Sequence, residues 1–169
     1  AAKDFAQNGL NFYMKEGQLI KAPEVLSVVD LFSLAKPGDY VSFLIYLSQT
    51  SSIDTAINRI REVIAKKFKL ATSAGYGPRY LHSTGQLHKA GPNKGLFIQL
   101  VEPDSNSSNE VEISGAGYSF RVLNNAQANG DLIALVEQSR RVSRVFIAGT
   151  PEQTIEALSN QVLSINVPS

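Results

Sequence analysis

The apolar positions of this chain follow two alternating rhythms. Asp39 to Leu47 is apolar almost throughout and rich in β-branched and aromatic residues, the pattern of a strand buried on both faces. Directly after it Ile53, Ala56, Ile57, Ile60, Val63 and Ile64 recur at helical spacing while Arg59, Arg61, Glu62 and Lys66 take the other side. That predicts an amphipathic helix, capped by Ser51 or Ser52. The succession returns downstream as a strand over Leu70 to Ser73, a Gly-rich loop, a short helix near His82 and a strand over Gly95 to Val101. A helix capped by Ser119, a strand over Arg144 to Ala148, a helix from Pro151 and a terminal strand over Val162 to Val167 follow. Upstream, Phe5, Leu10, Phe12 and Tyr13 suggest a short first helix interrupted by Gly9 and Gly17. Pro23 suits the first turn of a second helix running through Val25, Leu26, Val29, Leu31 and Phe32 and stopped by Pro37-Gly38. Strands separated by helix-length segments predict one α/β domain over residues 1–169, with a mainly parallel sheet flanked by helices.

Composition narrows the function more than the fold. With 16 basic and 15 acidic residues the net charge is +1, which provides no field to draw the molecule to nucleic acid or to a membrane surface. The longest apolar stretch, near Val41 to Leu47, is far shorter than the roughly 20 residues a membrane span needs. The absence of cysteine removes disulfides, thiolate nucleophiles and thiolate metal sites, which suits the cytoplasm and would also suit a periplasmic protein without bridges; the cytoplasm is the expectation. The chain opens Ala1-Ala2-Lys3 and its lone methionine is Met14, so either an initiator methionine is clipped before alanine or the domain is excised from a longer chain.

Chemistry concentrates between Gly75 and Pro92. Both histidines of the protein, His82 and His88, lie there with Arg79, Lys89, Ser83, Thr84, Gln86 and four glycines. A stretch between two apolar strands that spends its residues on titratable and donor groups is a functional loop rather than core. A metal is not expected: the histidines are six apart, about 120° around a helix, and no cysteine or aspartate nearby completes a set. Gly75-x-Gly77 lacks the spacing of a nucleotide-binding fingerprint and reads as a turn. The plain alternative for His82 is a half-buried imidazole bonded to backbone. Arg140, Arg141 and Arg144 form a second basic cluster, read as a solvated helix end and strand edge.

Gly77-Pro-Arg-Tyr-Leu-His-Ser-Thr-Gly-Gln-Leu-His-Lys89, followed by Gly91-Pro92, resembles the hallmark of the isomerase half of bifunctional transaldolase/glucose-6-phosphate isomerases. The resemblance extends to Pro37-Gly38-Asp39-Tyr40-Val41, to Gly95-Leu96-Phe97-Ile98-Gln99 and to Tyr118-Ser119-Phe120. It also takes in Gln127-Ala128-x-Gly130-Asp131-Leu132 and Arg140-Arg141-Val142, and so covers most of the chain from Asp39 to Arg144. Leu81-His82-Ser83-Thr84-Gly85-Gln86 is similar in turn to the Leu-His-Ser-x-Gly-Gln stretch of bacterial glucose-6-phosphate isomerases. The resemblance implies a three-layer sugar-isomerase (SIS-like) fold and a homodimer in which the histidine reaches the neighbour's pocket. It further implies interconversion of glucose 6-phosphate and fructose 6-phosphate through an enediol, without a cofactor. The family's catalytic glutamate has no counterpart between Ala1 and Gly77, and the motif around its active-site lysine has none at the C-terminus. The chain therefore resembles the C-terminal part of such an enzyme, with upstream isomerase and transaldolase domains of the same polypeptide as its partners.

On this reading His82 is the catalytic residue that assists ring opening, since the unperturbed pKa of a histidine side chain, near 6.5, suits a proton shuttle near neutral pH. Ser83, Thr84 and Gln86 offer bonds to sugar hydroxyls, and His88 and Lys89 either meet phosphate or stand exposed and solvated. A non-catalytic module that senses a sugar phosphate or docks a transaldolase domain is the rival from another class. A phosphosugar-responsive regulator is disfavoured by the lack of a basic helix-turn-helix.

Overall fold

The computed structural model describes residues 2–79, 85–104 and 110–169, without the side chains of 85–87. Its elements follow in the order α1 (Ala2–Glu16), α2 (Val28–Ser33), β1 (Tyr40–Tyr46), α3 (Ser51–Phe68), β2 (Ala71–Tyr76), α4 (Gly85–Ala90), β3 (Gly95–Val101), α5 (Phe120–Glu137), β4 (Arg141–Phe146) and α6 (Pro151–Ser164). The strands form one sheet in the order β2-β1-β3-β4, parallel at every pairing, with Tyr40 beside both Ala71 and Gly95 and Leu96 beside Arg141. The expected α/β class holds, with helices on both faces.

The two-residue period of β1 divides the interior. Val41, Phe43 and Ile45 face one side and join Phe32, Ile57, Ile60, Ile64, Leu158 and Val162 in a core beneath α2, α3 and α6. Leu44 and Tyr46 face the other side with Phe97, Leu132 and Leu135, beneath α5. β1 and β3 are buried along almost their whole length, as central parallel strands should be. α1 lies outside α5, packed through Leu10 against Val122 and Ala126. No helix among the described residues is long and apolar enough to cross a membrane.

Several boundaries move from their expected places. Gly9 does not interrupt α1; it is buried within the helix, facing the Ala126 methyl. The second helix begins at Val28 rather than near Pro23, because Ser27 caps it by accepting the Asp30 N–H at 3.0 Å. The preceding segment runs along the edge of β4, where the Leu26 N–H donates to the Val142 carbonyl at 3.0 Å. Thr50, not Ser51 or Ser52, caps α3. Ser119 caps α5 as expected. β4 starts at Arg141, and α6, held by a Thr150–Gln153 capping box, continues to Ser164 in place of a terminal strand.

Candidate functional site

The chain leaves β1 for the α3 face and β3 for the α5 face, so the crevice at the carboxyl ends of these neighbouring strands is the point where parallel α/β sheets place ligands. The Gly75–Pro92 stretch starts at this edge, at the end of β2. The Gly77 N–H extends the ladder to the Ile45 carbonyl at 2.8 Å. A Cβ on Gly77 would stand 2.5 Å from the Tyr46 ring, so only glycine fits. Arg79 donates to Gln49 at 2.9 Å, and Gln49 and Tyr76 both donate to Asp54. The Tyr76 bond holds the Asp54 carboxyl below its ordinary range, while burial and Asp54 together push the Tyr76 phenol up.

His82, Ser83 and Thr84 lie outside the described residues, and the Gln86 side chain is likewise not described. His88 and Lys89 are placed, and neither is exposed and solvated. His88 is 6% exposed between α4 and the sheet. Its Nδ1 lies 3.1 Å from Tyr40 Oη, its Nε2 lies 3.5 Å from Ser42 Oγ, and its ring meets Phe97 edge-on at 5.0 Å. Ser73 Oγ donates to Ser42 Oγ at 2.9 Å. A neutral imidazole that accepts from Ser42 and donates to Tyr40 completes this chain of bonds. Lys89 pairs with Asp131 of α5 at 2.5 Å, with the aspartate side chain 1% exposed.

Burial drives the His88 pKa below its ordinary 6.5, with Asp131 opposing and Lys89 adding to the effect. The unfolded chain therefore takes up this proton first as pH falls. The native state is expected to lose stability from about pH 6.5 downward and to pay no such penalty above it. Urea midpoints measured between about pH 7.5 and 5.5 should fall with acidification, and His88→Gln should lack that part of the slope. Equal slopes in both proteins would remove His88 as the source.

The arginine cluster is not a solvated edge. Arg140 donates to the Lys89 and Gly91 carbonyls at 2.7 and 2.6 Å, closing the connection between α4 and β3 onto the start of β4. Arg141 reaches Asp39 at 2.7 Å and the Leu34 and Asn93 carbonyls. Burial would raise the Asp39 carboxyl, but Arg141 and the Lys36 N–H bring it below its ordinary range. Arg144 donates through Nε to Gln99 at 2.7 Å, and Gln99, fully buried, donates to the Ala128 carbonyl at 2.9 Å. Burial pushes the Arg144 guanidinium down to about 10, with Asp104 and Tyr46 pulling the other way. Asn124 and Asn125 of α5 bind the Tyr46 and Glu102 carbonyls at the carboxyl ends of β1 and β3. Among the described residues no cluster of histidine and carboxylate side chains could hold a metal ion.

Tyr40, Asp131 and Arg140 thus belong around this stretch, although sequence reasoning gave them no part in it. The available signal was their position inside the other stretches that carry the same family resemblance as the candidate site. No family model and no curated protein matches the chain. Among solved structures it is similar to the hypothetical protein TT0462 from Thermus thermophilus, with a TM-score of 0.59 and 18% identity over 73% of this chain. The match spans 34% of that protein, about a third of its length, and the likeness is one of fold alone.

Proposed function

We propose that this chain is the C-terminal part of a cytoplasmic glucose-6-phosphate isomerase, in a polypeptide that also carries transaldolase. One observation carries the reading: the long run Gly77 to Lys89 resembles the hallmark of that enzyme class, and it begins where the chain leaves the sheet at the carboxyl end of β2. In the reaction His82 would move a proton between the C1 hydroxyl and the ring oxygen, opening the cyclic sugar. A glutamate from elsewhere in the polypeptide would then carry the proton between C2 and C1 through the enediol. Ser83, Thr84 and Gln86 would bind sugar hydroxyls. All-parallel sheet architecture is compatible with this chemistry and with many others, so the support lies in the motif.

The test is an assay of the protein encoded by the full open reading frame, converting fructose 6-phosphate to glucose 6-phosphate with a dehydrogenase reporting product. Turnover is expected there. The 169-residue chain alone should retain only a trace, because loss of the principal base costs about 10²–10⁴-fold. No turnover by the full protein would overturn the proposal in favour of a binding or docking module. Full turnover by this chain alone would overturn the division of the site.

A further inference from the structure

The residues that carry the family resemblance are far apart in sequence, yet the fold ties them into one set of bonds around the Gly85 to Gly91 stretch. Lys89 from the first motif pairs with Asp131 from the Gln127–Leu132 motif. His88 is bonded to Tyr40 of the motif that opens β1. Arg140, from the motif that opens β4, holds the Lys89 and Gly91 carbonyls. Both side chains set aside for phosphate therefore point into the protein, where their partners are a nearly inaccessible carboxylate and a phenol at the sheet.

We propose that Lys89 and His88 are positioning residues, with Asp131, Tyr40 and Arg140 as their partners: together they fasten α4 to α5 and to β1, and neither Lys89 nor His88 touches the substrate. Its catalytic consequence rests on the isomerase reading above. The anchor itself is a claim about this chain and has its own readout. A lysine whose ammonium is held at 2.5 Å by a carboxylate 1% exposed would have to abandon a buried charge to reach a phosphate. Removing one member of such a pair strands the other, whereas replacing both by apolar side chains of similar volume leaves no unpaired charge.

Three variants separate the possibilities: Lys89→Met, Asp131→Leu and the double variant. Amide hydrogen exchange across residues 85–92 of this chain should quicken in each single variant and slow again in the double. In the full-length protein each single variant should lower isomerase kcat by roughly 10–10²-fold with little change in KM, as expected when a group is misplaced rather than lost. The double should recover most of it. A raised KM shared by Lys89→Met and the double would place Lys89 on the substrate and overturn the proposal. Unchanged exchange in both single variants would overturn it too. If the unmodified full-length protein shows no isomerase turnover, the functional reading fails and the exchange measurements alone decide the anchor.

Discussion

On the isomerase reading proposed above, His82→Ala in the full-length protein is expected to lower kcat by about 10²–10⁴-fold while leaving folding and any fused transaldolase activity nearly untouched. The motivation is chemical: ring opening needs a group that can both give and take a proton near neutral pH, and the only other histidine, His88, is enclosed between α4 and the sheet. A histidine lining an open site changes stability by well under ~1 kcal/mol when truncated, whereas a buried, bonded one costs more. Thermal midpoint and turnover therefore separate the catalytic role from the structural one. If His82 acts in ring opening, turnover of the cyclic sugar should fall further than proton exchange measured on the open-chain form. Unchanged kcat/KM in a normally folded variant would remove His82 from the mechanism.

Gly130→Val is expected to destabilise the chain by roughly 3 kcal/mol, lowering the thermal midpoint by about 6–12 °C. A Cβ at Gly130 would lie 2.7 Å from both the Ala2 carbonyl oxygen and the Ala6 nitrogen, and 3.2 Å from Ala6 Cα. These are backbone atoms of α1 and cannot swing aside, so the helix must lift from α5 and uncover Leu10, Val122 and Ala126. The gain in helix propensity on leaving glycine, a few tenths of a kcal/mol for valine, is too small to offset this. Limited proteolysis should cut within residues 2–16 sooner than in the unmodified chain. Gly9→Ala is the control, since its Cβ would meet only the Ala126 Cβ at an ordinary 3.9 Å and the helix gains propensity. A Gly130→Val protein as stable as that control would mean α1 contributes little to the fold.

What could be read in the sequence was what local patterning dictates. The nearly continuous apolarity of β1, the period of α3 and the Ser119 cap follow from neighbours within a turn or two, and the structure agrees with them. Gly9 misled because a helical glycine at a close crossing looks the same, from its neighbours alone, as one that breaks a helix. β4 was placed too late because its first half, Arg141 and Ser143 around Val142, carries polar residues whose partners Asp39 and Leu26 are distant in the chain. For the same reason the candidate site was legible as a concentration of chemistry, but not in the direction its side chains take. That Lys89 turns toward Asp131, and Arg140 toward two carbonyls of the α4–β3 connection, depends on helix packing that no local spacing encodes.

The order of strands also bears on how the chain reaches its structure. β1 is central, but its partner β3 follows only after β2, α4 and the whole connection between them. Until β3 arrives, the run Tyr40-Val41-Ser42-Phe43-Leu44-Ile45-Tyr46, which has neither charge nor proline, has one bare edge. Such uncharged, strand-prone runs are the segments that pair wrongly with other chains. During synthesis that edge stays open until Gly95 to Val101 has been made, which leaves a strand-prone edge bare between the translation of β1 and that of β3.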